Sequence, residues 1–139
     1  MAPSSGPRAT LTYRVVNPAE AVALFTFEGN ACSDRKHIGA LQSAPLPYEK
    51  MIGRPLDPAK AELTTSIPAG RKFKSKAFME VSNAESCGVG FAFVPAEGSS
   101  YEVELGYVGK ICKANLFQVD RATAQRNPQP HGPLTAGCE

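Results

Sequence analysis

The chain has 139 residues, 42% hydrophobic and 20% charged, with 12 glycines, 12 prolines, four cysteines, no tryptophan and a formal net charge of +2. That length suits one domain with a real core, the apolar content excludes a disordered chain, and no run approaches the roughly 20 apolar residues of a membrane-spanning helix. A pI near 8.4 is too mild for a dedicated nucleic-acid binder, whose domains usually lie above about 9.

In chain order the predicted elements are all strands. Residues 9–16 (ATLTYRVV) place Leu11, Tyr13 and Val15 on one face and Thr10, Thr12 and Arg14 on the other, until Asn17-Pro18 breaks the run. Residues 21–28 (AVALFTFE) are β-branched and aromatic enough for a second strand. From Ala31 to Lys60 the chain holds Pro45, Pro47, Pro55 and Pro58, which exclude a long helix or a central strand. Residues 31–60 therefore read as one long loop, either pinned or used for binding. Strands resume at 62–67 (ELTTSI) and, past the turn Pro68-Ala69-Gly70, at 72–81 (KFKSKAFMEV). In the latter, Phe73, Ala77, Met79 and Val81 point one way, and Lys72, Lys74, Lys76 and Glu80 the other.

Residues 87–94 (CGVGFAFV) put Cys87, Val89, Phe91 and Phe93 on one face, while Gly88 and Gly90 leave the other bare, a mark of close approach by a neighbour. After a Pro95–Ser100 turn, residues 101–107 (YEVELGY) send Tyr101, Val103, Leu105 and Tyr107 inward, and Glu102 and Glu104 outward. The alternation of 110–119 (KICKANLFQV) shifts midway, which predicts a bulge. Seven short strands without an amphipathic helix predict an all-β fold: a seven-stranded antiparallel β-sandwich, immunoglobulin- or transthyretin-like. A small closed barrel is the alternative. Residues 1–8 read as a flexible tether, 9–119 as the sandwich and 120–139 as an irregular tail.

The cysteines, Cys32, Cys87, Cys112 and Cys138, contain no Cys-x-x-Cys pair, and neither His37 nor His131 supplies a paired ligand, so no metal and no cofactor are expected. An even number on distant segments fits two disulfides and an oxidising compartment; four free thiols in a cytoplasmic protein is the competing reading. Of three possible pairings, Cys87–Cys112 with Cys32–Cys138 is favoured, because this nested pattern staples a hairpin region and ties down the tail. Met1–Arg8 lacks the apolar stretch of a signal peptide, so an exported chain would be a mature form whose leader is absent here.

Two clusters are candidate binding residues. Arg71, Lys72, Lys74 and Lys76 form a basic comb that suits an acidic partner or anionic headgroups, unless the lysines merely guard an edge strand against pairing. Asp34, Arg35, Lys36 and His37 form a polar loop cluster beside Cys32, which reads as a catalytic Cys-His pair only if the thiol is free. Glu102 and Glu104, about 7 Å apart along a strand, match the spacing of an inverting glycosidase. An exposed Glu-x-Glu is, however, ordinary solvation, and these glutamates suit pairing with the lysines of residues 72–76 on a neighbouring strand. There is no Gly-x-Ser-x-Gly elbow and no phosphate-binding glycine loop.

The run Ile67-Pro68-Ala69-Gly70-x-x-Phe73, followed by Cys87-x3-Phe91-x-Phe93-x-Pro95-x2-Gly98-x2-Tyr101-x-Val103 and Gly109-x2-Cys112, resembles small proteobacterial envelope lipoproteins and periplasmic β-sandwich proteins. The resemblance covers residues 62–119 and centres on Phe93, Pro95, Gly98 and Tyr101. It implies an exported sandwich without catalytic residues, periplasmic or anchored to the outer membrane by a lipidated cysteine upstream of Met1. The expected function is that of a non-catalytic binding domain for a protein or cell-envelope component, with no nucleic-acid partner. A periplasmic inhibitor or immunity protein is the alternative, and a small hydrolase using His37 or a structural subunit of an envelope assembly are further ones.

Overall fold

The computed structural model describes residues 6–27, 35–44, 58–80, 86–109 and 111–132. Their strands are β1 (Arg8–Val15), β2 (Ala21–Phe27), β3 (Arg35–Leu41), β4 (Glu62–Pro68), β5 (Phe73–Glu80), β6 (Ser86–Phe93), β7 (Ser100–Val108), β8 (Ile111–Val119) and β9 (Arg126–Pro128), with one 3-10 turn, Pro58–Ala61. They form a five-stranded sheet, β4-β1-β7-β8-β9, and a four-stranded sheet, β3-β2-β5-β6. The protein is all-β with two sheets, and all seven predicted strands are present. Two were not foreseen: β3, inside the stretch expected to be loop, and β9, inside the expected tail. The sheets are not purely antiparallel, because β1 and β7 pair in parallel (Leu11 with Tyr101, Tyr13 with Val103). Alternation reports which face is buried but carries no strand direction.

The core lies between the sheets and is built from the alternations the sequence displays. Ala9, Leu11, Tyr13 and Val15 of β1, and Tyr101, Val103 and Leu105 of β7, meet Val22, Leu24, Ala77, Met79, Phe91 and Phe93 from the facing sheet. Each large side chain so buried contributes about 1.5–3 kcal/mol. One polar chain crosses this core. Tyr13 Oη lies 2.7 Å from Ser75 Oγ, and Ser75 donates to the Phe25 carbonyl at 2.7 Å, so the phenol is the donor of the first bond. Ser75, fully buried in central strand β5, therefore costs no unsatisfied hydroxyl.

Cys87 and Cys112 form a disulfide, Cα–Cα 5.5 Å, that ties β6 of one sheet to β8 of the other. The predicted Cys32–Cys138 pair lies outside the described residues. No bulge interrupts the β7–β8 ladder. The apparent shift in β8 arises because Phe117 faces outward beneath the Arg126 guanidinium, 4.2 Å from its ring centre, while Cys112 and Leu116 keep to the core. The tail is less irregular than expected: beyond β9, Gly132 exchanges two backbone hydrogen bonds of 2.9 Å with Ala92.

The motif around Pro95 is a turn that fastens both sheets. Gly98 takes φ +78°, the Tyr101 hydroxyl accepts from Ala96 N at 2.9 Å, and the Phe93 and Tyr101 rings meet at 5.0 Å. The Pro95 carbonyl accepts from Gly70 N at 2.8 Å. Gly70, with φ +80°, lets the chain swing from β4 in one sheet to β5 in the other.

Candidate binding cleft

The two long sides of the sandwich differ. On one, the disulfide draws β6 and β8 together. On the other, edge strands β3 and β4 face each other, and at one end Leu63 packs against Gly39. A Cβ at Gly39 would lie 2.8 Å from Leu63 Cδ2, so glycine lets the strands approach there. Beyond this contact the sheets part around a cavity of about 440 Å³, within the usual range of small-molecule sites.

The cavity is two-sided in chemistry. Its apolar lining comprises Phe27, Ile38, Ile67, Pro68 and Phe73, of which Ile67 and Phe73 belong to the core itself. Thr26, Thr65 and Ser66 add hydroxyls, and Arg8, Lys36, Arg71 and Lys72 add four cations. No carboxylate stands among the described lining residues. Lys36, Arg71 and Lys72 are exposed, and no ion pair engages them among the described residues. Arg8 is positioned by Ser66, donating from Nε to its Oγ and from Nη2 to its carbonyl, both at 2.9 Å.

A bulge in β3 aims Lys36 into this cleft. Leu24 pairs with Gly39, but Phe25 pairs with His37, so Ile38 is an extra residue in the edge strand. Had the register run straight on from Gly39, Lys36 and Ile38 would face outward and His37 inward. The extra residue resets the phase: Lys36 lies opposite Thr26 on the cleft side, and His37 lies opposite Phe25 on the outer face. Bulges commonly re-aim side chains in this way beside functional sites. On the outer face, His37 meets the Phe25 ring at 5.3 Å, and the Arg35 guanidinium sits 4.5 Å from the same ring. Asp34, the remaining member of the loop cluster, and Cys32, the thiol of the Cys-His reading, lie outside the described residues.

The basic comb divides. Arg71 and Lys72, in the turn anchored by Gly70 and Pro95, stand at the cleft. Lys74 and Lys76 lie on the outer face of β5 with only 9% and 8% of their surface exposed. That strand is flanked by β2 and β6, so guarding an edge is not their role. Lys76 Nζ sits 4.6 Å from the Phe78 ring centre, and Phe78 covers Gly88, whose missing Cβ would lie 3.3 Å from Phe78 Cδ1. The bare face of β6 thus receives side chains of β5 rather than another backbone. Glu102 and Glu104 do not meet these lysines, which belong to the other sheet. Arg14 bridges Glu62 and Glu102, and Arg126 bridges Glu102 and Glu104. Both glutamates are thereby committed to ion pairs.

Sequence reasoning found Lys36, Arg71 and Lys72 but assigned them to separate surfaces, and it missed Arg8, Thr26, Ile38, Thr65 and Ser66. The apolar pair Ile38 and Leu41 was the available sign of β3, obscured because the bulge breaks strict alternation. Among the described residues no group of three His, Cys, Asp or Glu is placed to hold a metal ion. No protein-family model matches the chain, and comparison with curated proteins and with solved structures yields no match.

Proposed function

We propose that this protein is a non-catalytic binding domain of an exported protein, an immunoglobulin- or transthyretin-like sandwich that recognises an anionic component of the cell envelope at the β3–β4 cleft. One observation carries the reading: four cations and no described carboxylate line a single cavity. A bound anion offsets the mutual repulsion of cations gathered in one place and accepts charge-assisted hydrogen bonds from them. The Cys87–Cys112 disulfide and the resemblance of residues 62–119 to envelope lipoproteins support export to the periplasm or outer membrane. The pairing of Glu102 and Glu104 with arginines and the outward aim of His37 favour binding over hydrolysis.

Vesicle co-sedimentation tests this reading. Phosphatidylglycerol vesicles are expected to retain the protein in a salt-sensitive manner and phosphatidylcholine vesicles not. Reversing three cleft charges together (Lys36→Glu, Arg71→Glu, Lys72→Glu) is expected to weaken retention on the order of 100-fold, since each basic residue near an anionic surface is worth about 1 kcal/mol. Equal retention of the native and reversed proteins overturns it.

A further inference from the structure

We infer that the cleft takes an anionic single-chain amphiphile, a carboxylate or phosphate carrying one acyl chain, with the head at the basic rim and the chain between the sheets. The inference rests on the reading of the cleft as an anion site and adds to it the ligand's apolar half. Charge alone asks only for surface cations, and an exposed lysine patch would serve. Here the cations surround an opening whose floor is the margin of the core. Ile67 and Phe73, with 2% and 6% of their surface exposed, line it together with Ile38 and Phe27.

The backbone is arranged to produce both halves at once. The extra residue in β3 places Ile38 and Lys36 together on the cleft side, apolar beside basic. Across the gap, the chain from β4 into β5 repeats the combination, running Ile67, Pro68, then Arg71, Lys72, Phe73. A polyanion or a free inorganic anion would use the rim and leave the apolar lining unused. A neutral lipid would fill the lining and bring no counter-charge to the four cations. Only a ligand with both parts satisfies both, with the apolar part supplying burial and the head fixing orientation.

The test is a titration of the uniformly 15N-labelled protein, followed by NMR, with butanoate, hexanoate, octanoate and decanoate below their micellar concentrations. Decanol, decyltrimethylammonium and inorganic phosphate serve as separate arms. Affinity is expected to rise about fourfold per methylene along the carboxylate series, the ratio expected for burying one such group. The amide signals of Ile38, Ile67 and Phe73 are expected to move, and decanol and the cationic amphiphile to bind at least about tenfold more weakly than decanoate. An Ile38→Asn variant, at a half-buried edge position, is expected to flatten the chain-length dependence of the carboxylate series. Affinity independent of chain length, or phosphate binding as tightly as decanoate, overturns the acyl chain but leaves the anion site standing. Decanol binding as tightly as decanoate, or no binding by any anion, overturns the anion site as well.

Discussion

Tyr13 shows how one residue can serve the core and still be polar. Its ring is fully buried between the sheets and its hydroxyl begins the chain through Ser75 to the Phe25 carbonyl. Burial pushes the phenol well above its ordinary range, and the Ser75 hydrogen bond opposes that shift only in part. Because the folded pKa is raised, the stability held in the neutral phenol is fully present below the unfolded value of about 10 and is lost as pH rises beyond it. Tyr13→Phe is expected to cost about 1 kcal/mol at neutral pH, where Ser75 loses its donor. The gap between the two proteins is expected to close as urea denaturation is repeated above about pH 10; a constant gap would contradict the account. Asn17 is equally specific: its Oδ1 accepts from Tyr107 N at 2.9 Å, and the space it occupies is the space a side chain at Gly106 would need. The Asn-Pro step that reads as a strand breaker is also a clasp on β7.

At the level of elements, β3 carries most of what distinguishes this sandwich. Its partner β2 is regular, and the irregularity sits at the edge, where an extra residue disrupts only one ladder. Deleting Ile38 leaves His37 opposite Phe25 and Lys36 opposite Thr26, because the phase across the bulge is already set to that pairing. The deletion is therefore expected to preserve salt-sensitive binding to anionic vesicles while decanoate affinity falls toward that of butanoate; loss of both in a protein with native circular dichroism would show that the bulge has another role. The opposite edge is treated differently. On the outer face of β1 and β4, Arg14 pairs with Glu62 and Thr12 with Thr64 at 2.9 Å, and at the rim of the cleft Arg8 bonds Ser66. This row of cross-strand bonds holds β4 to its sheet, so the cleft has one wall braced by side chains and one shaped by a bulge.

Across the whole molecule, the disulfide and the cleft lie on opposite long sides. The Cys87–Cys112 bond closes a loop of 25 residues in sequence separation, for which chain-entropy reasoning gives about 3.5 kcal/mol. Replacing both cysteines by alanine is expected to lower the unfolding free energy by about that amount. Decanoate affinity, measured on the fraction that remains folded, is expected to stay unchanged, because the bond does not border the cleft. A parallel loss of affinity would mean that the pinned side sets the spacing of the open one. The mild net charge of +2 conceals an uneven layout. Carboxylates of the five-stranded sheet are consumed by Arg14 and Arg126, while the cations at the cleft keep their charge uncompensated by any described neighbour.

The sequence by itself determined the all-β class, seven of the strands to within a residue or two and most of their inward faces, and it favoured the Cys87–Cys112 pairing among three. These depend on local alternation, turn residues and cysteine spacing, which act over a few residues or leave few options. Strand order, the parallel β1–β7 pair, the burial of Lys74 and Lys76 on a central strand and the partners of Glu102 and Glu104 were decided only by the tertiary structure. The cleft belongs to that second group for a physical reason. Lys36, Ile67 and Arg71 are distant or differently placed in sequence, and they meet because a one-residue bulge, a left-handed glycine turn and the facing edge strands β3 and β4 bring them to the same opening.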